Sequence, residues 1–164
     1  MDEIALVDYD PNWPALFAEE AARLRLALGD SVIAIEHFGS TAIPGLSAKP
    51  VIDLLVAVSS LPEARGAAVP ALEALGYACW RDNPAPDRLF FVKGLPPNGP
   101  RTHHVHIAEP WASDDPRLVF RDALRAGPEE ARCYANLKRN LAKQFPNDRE
   151  AYTSGKTEYI CSVI

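Results

Sequence analysis

Cysteine is scarce and scattered in this sequence of 164 residues. Cys79, Cys133 and Cys161 are an odd number with no C-x-x-C pair, which argues against a disulfide framework or a zinc knuckle and suits reduced thiols. Long apolar runs are missing as well. No stretch approaches the roughly 20 residues needed to span a bilayer, and the opening MDEIALVDYD is acidic, so the expectation is a cytoplasmic protein that does not enter membranes. Positive charge is in deficit: 17 Lys and Arg face 22 Asp and Glu, for a net charge of −5. A generic grip on nucleic acid backbone needs clustered cations and is not expected, although a local basic pocket is still allowed. No linker-like tract and no internal repeat divides the chain, so one domain over 1–164 is the simplest organisation.

What is present is punctuated by proline, 15 in all, into short elements. Trp13, Leu16, Phe17, Leu24 and Leu28 recur at helical spacing from Asn12 to Leu28, with Glu19, Glu20, Arg23 and Arg25 between them, which predicts an amphipathic helix ended by Gly29. Val32 to Phe38 alternates like a strand, and Val51 to Val58 is the near-continuous apolar run of a strand covered on both faces. Pro62 to Leu75 reads as a helix closed by Gly76. Leu89 to Lys93 and Thr102 to Ala108 read as strands joined by the turn GLPPNGP. Helices are expected after Asp115-Pro116, after Gly127-Pro128 and after Asp148, with Tyr134, Leu137, Leu141 and Phe145 as core positions. Strands first and helices afterwards predict an α+β fold with a small mixed sheet, Val51 to Val58 in its interior and a helical C-terminal part.

The loop between the first two strands, GSTAIPGLSAKP, carries the chemistry. Gly39 permits a tight turn, Ser40 and Thr41 offer hydroxyls and outward amides, and Lys49 stands at the far end as a point charge. Pro44 and Gly45 keep the turn from growing into a long helix. Asp53 then begins the return strand, where a carboxylate is costly unless it is solvated, hydrogen-bonded or holding a cation. Two readings fit: a phosphate loop with a metal-binding acid, or a plain connection whose Asp53 caps a neighbouring amide.

The segments VIAIEHFGSTAIPGLSAKPVIDLLVAV, RLFFVKG, RTHHVHI and YANLKRNLAKQFPNDREAYTSGKTEYI together resemble the GrpB-like family, which is grouped with the nucleotidyltransferase superfamily and is also found fused to dephospho-coenzyme A kinases. The similarity runs from about Tyr9 to the end. It implies a nucleotidyltransferase-like core in which Gly39 and Ser40 match the pair that touches a nucleotide's triphosphate and Asp53 matches the first metal acid. The second acid of active nucleotidyltransferases lies two residues further on, where this chain has Leu55. One aspartate beside a leucine does not supply the anionic ligands that two close divalent ions require.

An alternative ligand set lies in RTHHVHIAE. In a strand, His104 and His106 share one face with Thr102, while His103 goes with Val105 and Ile107. With Asp53 or His37 from a neighbouring strand, the two imidazoles would make a three-ligand site, and imidazole suits zinc, iron, nickel or manganese better than magnesium; the cofactor expected of the protein as a whole is one divalent metal, Mg²⁺ or Mn²⁺ with Zn²⁺ as a further candidate. The plainer alternative is that they hydrogen-bond, or bind substrate phosphate when protonated. Glu109 is either a ligand or a surface residue. Arg88, Lys93 and Arg101 cluster on the hairpin, and Lys138 and Lys156 lie on the C-terminal helices. The candidate set is therefore Asp53, His104 and His106 for catalysis and metal, with Gly39, Ser40, Thr41, Lys49, Arg88, Arg101 and Lys138 for phosphate. Three functions stay open: metal-dependent nucleotidyl or phosphoryl transfer on a phosphorylated small molecule or nucleotide, a non-catalytic module for a nucleotide or coenzyme A precursor, and a protein-interaction domain.

Overall fold

The structure is a computed structural model and describes all residues except 1–3, 84, 96, 98, 112 and 113. Pro96 and Asn98 of the expected GLPPNGP turn lie outside the described residues. Two compact units divide the chain, the first made of Met1–Pro11, Gly39–Pro50 and Asp114–Ile164, the second of Asn12–Phe38 and Val51–Ser113.

The second unit is a five-stranded mixed sheet carrying two helices. Strands β1 (Val32–Phe38), β2 (Ile52–Val58), β3 (Tyr77–Cys79), β4 (Arg88–Lys93) and β5 (His103–Ala108) lie in the order β1-β2-β5-β4-β3. The fold class expected from the sequence is the one observed, with β2 in the sheet's interior, parallel to β5 and antiparallel to β1. Helices α1 (Trp13–Leu28) and α2 (Leu61–Ala74) pack on one face. Leu24, Leu54, Val56, Leu72, Phe91, Val105 and Ile107 are each fully buried. Helix α2 begins one residue before the expected Pro62, because Ser60 caps it and Glu109 Oε1 accepts from the Leu61 N–H at 3.2 Å. Glu109 is thus tied to a helix terminus.

The first unit is helical. It holds α3 (Pro116–Ala126), α4 (Pro128–Gln144), α5 (Arg149–Ser154) and α6 (Thr157–Val163), with Asp115 and Asp148 accepting from the backbone at the starts of α3 and α5. The 39–50 segment packs into this unit through Ile43 and Leu46, which are buried with Leu124, Tyr134 and Ala135. A bridge between Val7 and Ala48 ties it to the N-terminal segment. Among the described residues no helix is long and apolar enough to cross a membrane, and all three cysteines are free thiols.

Candidate functional site

Strand alternation sorts the candidates before any distance is considered. The register pairs Phe38 with Asp53, Asp53 with His104, and His104 with Val92; one step along, Glu36 pairs with Leu55, Leu55 with His106, and His106 with Phe90. Cross-strand partners project to the same side, so Asp53, His104 and His106 share the face opposite α1 and α2, and Arg88, paired with Ala108, joins them. His37 is one position out of phase. It turns to the helix-covered face, 7% exposed, and stacks on Phe17 at 4.8 Å. His37 is therefore not available to a ligand set built on His104 and His106. Alternation likewise breaks up the expected basic cluster on the hairpin: Lys93 points to α1, and Arg88 to the other side.

On the face away from the helices, Asp53 Oδ1 stands 3.3 Å from His104 Nδ1, the two side chains 23% and 14% exposed. A carboxylate beside Nδ1 favours the proton on that nitrogen and leaves Nε2 as the acceptor. That Nε2 is buried and has no hydrogen-bond partner among the described residues. Aromatic rings surround the imidazoles. Phe90 lies 5.4 Å from the His104 ring and 4.7 Å from His106, Phe38 lies 5.3 Å from His106, and Trp80, half exposed, meets Phe90 edge-on at 6.0 Å. Leu55 is fully buried in this row. Its position offers no room for solvated charge.

The metal expected from the resemblance meets a partial donor set. Among the described residues no three His, Cys, Asp or Glu side chains are grouped closely enough to hold an ion, and His106 sits between two phenyl rings instead of completing the trio. Asp53 and His104 by themselves fall short of the ligand number that a protein-held ion requires.

The phosphate-loop candidates belong to the other unit. Gly39 adopts φ of 72°, a conformation that favours glycine, and opens a single 3-10 turn over Ser40–Ala42. The turn ends at Ile43, ahead of Pro44, as the sequence led one to expect. Thr41 is 1% exposed, so its hydroxyl is withdrawn from any ligand. The ammonium of Lys49 lies 5.1 Å from the centre of the Tyr152 ring. Lys138 is also 1% exposed, and its ammonium donates to the Ser47 carbonyl at 2.6 Å. It holds the loop in place from α4, and its burial keeps it from solvent.

One constellation escaped the reading of the sequence. Glu20, placed by periodicity on the polar side of α1, is fully buried. Its carboxylate accepts from Lys93 at 2.7 Å, Tyr77 at 2.8 Å and Arg23 at 2.9 Å, with His103 Nε2 at 3.9 Å. Burial pushes its pKa up, but the bonds from Lys93, Tyr77 and Arg23 outweigh that and hold it below the usual carboxylate value. Three of these partners lie on three different strands, which no local pattern reveals.

Similarity to known proteins agrees with this architecture. The family model of GrpB protein matches residues 3–164. A UPF0157 protein of Pseudomonas aeruginosa is 49% identical over 99% of this chain and 67% of its own length. A dephospho-CoA kinase of Mycolicibacterium paratuberculosis is 31% identical over 93% of this chain, which spans 43% of the kinase. The crystal structure of conserved protein GrpB from Enterococcus faecalis superposes with a TM-score of 0.87 at 34% identity, covering 97% of this chain and 94% of that one. A STING-associated CdnE c-di-GMP synthase from Capnocytophaga granulosa matches with a TM-score of 0.53 at 16% identity, over 95% of this chain and 64% of the synthase, a likeness of fold alone. The chain belongs to the GrpB family.

Proposed function

We propose that this GrpB-family chain binds a nucleotide or a similar phosphorylated small molecule on the sheet face that carries Asp53 and His104, and acts there in nucleotidyl or phosphoryl transfer. The observation that carries this reading is the Asp53–His104 pair, in register on parallel strands, with a buried Nε2 that has no hydrogen-bond partner among the described residues. A buried polar atom without a partner is costly to folding unless something uses it. Phe90 and Trp80 beside the pair offer aromatic surface of the kind on which bases stack, and Arg88 projects from the same face. Free of metal, His104 is held by Asp53 at Nδ1 and is suited to move a proton at Nε2; an ion shared with Asp53 would take Nδ1 instead and end that role. A divalent ion, Mg²⁺ or Mn²⁺ with Zn²⁺ as a further candidate, would be held by Asp53 and His104 with ligand phosphate oxygens, and would offset charge on the transferred group.

A second reading rests on a specific observation. The buried Leu55 removes the second acid of a two-metal site, which favours a module that binds a nucleotide or coenzyme A precursor without transferring anything. The name of the kinase relative fits that ligand class. Thermal-shift and calorimetric titrations with nucleotides and coenzyme A precursors, with and without Mg²⁺, Mn²⁺ and Zn²⁺, test both. A ligand that binds only the folded state raises the melting temperature by mass action. Metal-dependent turnover of a nucleoside triphosphate selects the enzyme, saturable binding without turnover selects the module, and no binding at all leaves a protein-interaction domain.

A further inference from the structure

The 42–47 segment is pinned from the helices of its own unit. Arg125 Nε donates to the Ala42 carbonyl at 2.9 Å, Lys138 to the Ser47 carbonyl at 2.6 Å, and Arg139 to the Ser47 hydroxyl at 3.2 Å. Between this segment and α4 lies a cleft of about 630 Å³, within the size range of small-molecule sites. Its polar wall is formed by Ser47, Arg132, Asn136 and Arg139, its floor by small or apolar residues, and no Asp or Glu lines it. In a protein of net charge −5, a cleft with two guanidinium groups and no carboxylate is a local reversal of sign. Arg139 is already braced, its other nitrogen donating to Asn136 Oδ1 at 3.0 Å. Arg132 is exposed and makes no hydrogen bond or ion pair among the described residues. Gly45 contributes in its own way. With φ of 80° and nothing within 4 Å of where a Cβ would stand, it leaves its backbone open at the cleft.

We infer that this cleft is a binding site for the di- or triphosphate group of a small molecule, gripped by Arg132 and Arg139. The two arginines are seven residues, or two helical turns, apart on α4, roughly 10 Å along its axis. A chain of two or three phosphates suits that spacing better than a single one, and guanidinium forks match phosphate oxygens in pairs. Asn136, one turn before Arg139, adds an amide to the same wall. Every group in the site belongs to the unit that contains α4, so the inference does not rest on the Asp53–His104 reading.

The test is calorimetric titration of inorganic tripolyphosphate, without divalent metal, into the full chain and into Arg132→Gln, Arg139→Gln and Asp53→Asn, with citrate as a multivalent carboxylate control. We expect one saturable site in the wild type, weakened about tenfold or more in Arg132→Gln, weakened also in Arg139→Gln, unchanged in Asp53→Asn, and poorly occupied by citrate. Because Arg132 has no partner to lose, its variant should melt with the wild type, which keeps the comparison clean if Arg139→Gln loosens the loop. The inference is overturned if the wild type shows no binding at millimolar tripolyphosphate, if Arg132→Gln binds as the wild type does, or if citrate binds equally well. Binding lost in Asp53→Asn but kept in Arg132→Gln would also overturn it, and would place the phosphate on the sheet face, in favour of the proposed function.

Discussion

Each face of the sheet meets an acid and a histidine, Glu20 of α1 with His103 on one side and Asp53 with His104 on the other, and the two pairs differ in how their nitrogens are answered. On the helix-covered face Glu20 has no exposure and three donors within hydrogen-bond distance, one of them Lys93 with its side chain 23% exposed. On the other face Asp53 keeps partial exposure and lies 3.3 Å from His104, whose second nitrogen is buried with no hydrogen bond among the described residues. Buried charge is tolerated when it is paired and its oxygens are satisfied, which describes Glu20 as structure. A buried imidazole nitrogen without a partner among the described residues is a cost that a ligand at the proposed site would offset. The contrast separates the role of the two acids more firmly than their residue types do.

The largest effect that tests this contrast belongs to Glu20. Glu20→Gln keeps the shape but leaves the Lys93 ammonium without a countercharge in a partly buried place, so stability should fall by about 3 kcal/mol, the low end for breaking a buried pair because Arg23 can turn to solvent. For a domain of this size that corresponds to roughly 6–12 °C in melting temperature. Ligand binding at the Asp53 face should persist in the folded fraction. A variant that melts like the wild type would mean that the Glu20 network does not hold α1 to the sheet.

Acid should weaken the same face in two steps. Desolvation pulls His103 below its ordinary value of 6.5, against the attraction of Glu20 and in the same direction as Lys93, Arg23 and His104. The unfolded chain then binds the proton more readily than the folded one, so stability falls as pH drops below about 6.5 toward the folded value. Glu20, with a folded pKa below 4.5, contributes stability above that value that is lost as pH falls through its folded pKa. Melting temperature measured between about pH 5 and 7 should decline toward acid in the wild type, and His103→Asn should flatten that decline. An equal slope in the variant would assign the proton uptake elsewhere.

The element pattern was legible because proline, glycine and period-2 alternation mark it locally. Helices α1 to α4, both long inner strands and the interior place of β2 follow from runs such as Val51 to Val58 and from caps at Asp115 and Asp148. The facing of His104 and His106 was legible for the same reason. Strand β3, with three residues, is too short to show a period, and it supplies the Tyr77 that finishes the Glu20 network. Glu20 itself looked like a solvated helix position, since its donors are brought together only by tertiary structure from residues 57 and 73 positions away. Lys138 was singled out for the right helix and the wrong chemistry: a lysine in a polar phrase suggests a phosphate, whereas here it serves a loop carbonyl. His37 failed by one step of strand phase, a displacement that sends a side chain to the other face.

The smallest expected effect on stability is the most informative about function. Asp53→Asn preserves shape while removing charge, and its imidazole neighbour is partly exposed and can relax, so the change in stability should stay under about 1 kcal/mol. The melting temperature is expected to hold or rise slightly, because a carboxylate at the start of a buried strand is a cost to folding in the absence of its ligand. Stabilisation that requires Mn²⁺ together with the nucleotide should vanish with it, whereas the metal-independent contribution of phosphate held at the α4 cleft should remain. Affinity for Mg²⁺ without nucleotide should be weak even in the wild type, since two donors do not bind that ion against its hydration shell. Calorimetry on both proteins, each with metal alone and with metal plus nucleotide, checks all three outcomes. If Asp53→Asn cost as much as Glu20→Gln, both acids would be structural and the division between the faces would fail. If two tight Mg²⁺ sites appeared in the unliganded wild type, ligands other than Asp53 and His104 would have to be found.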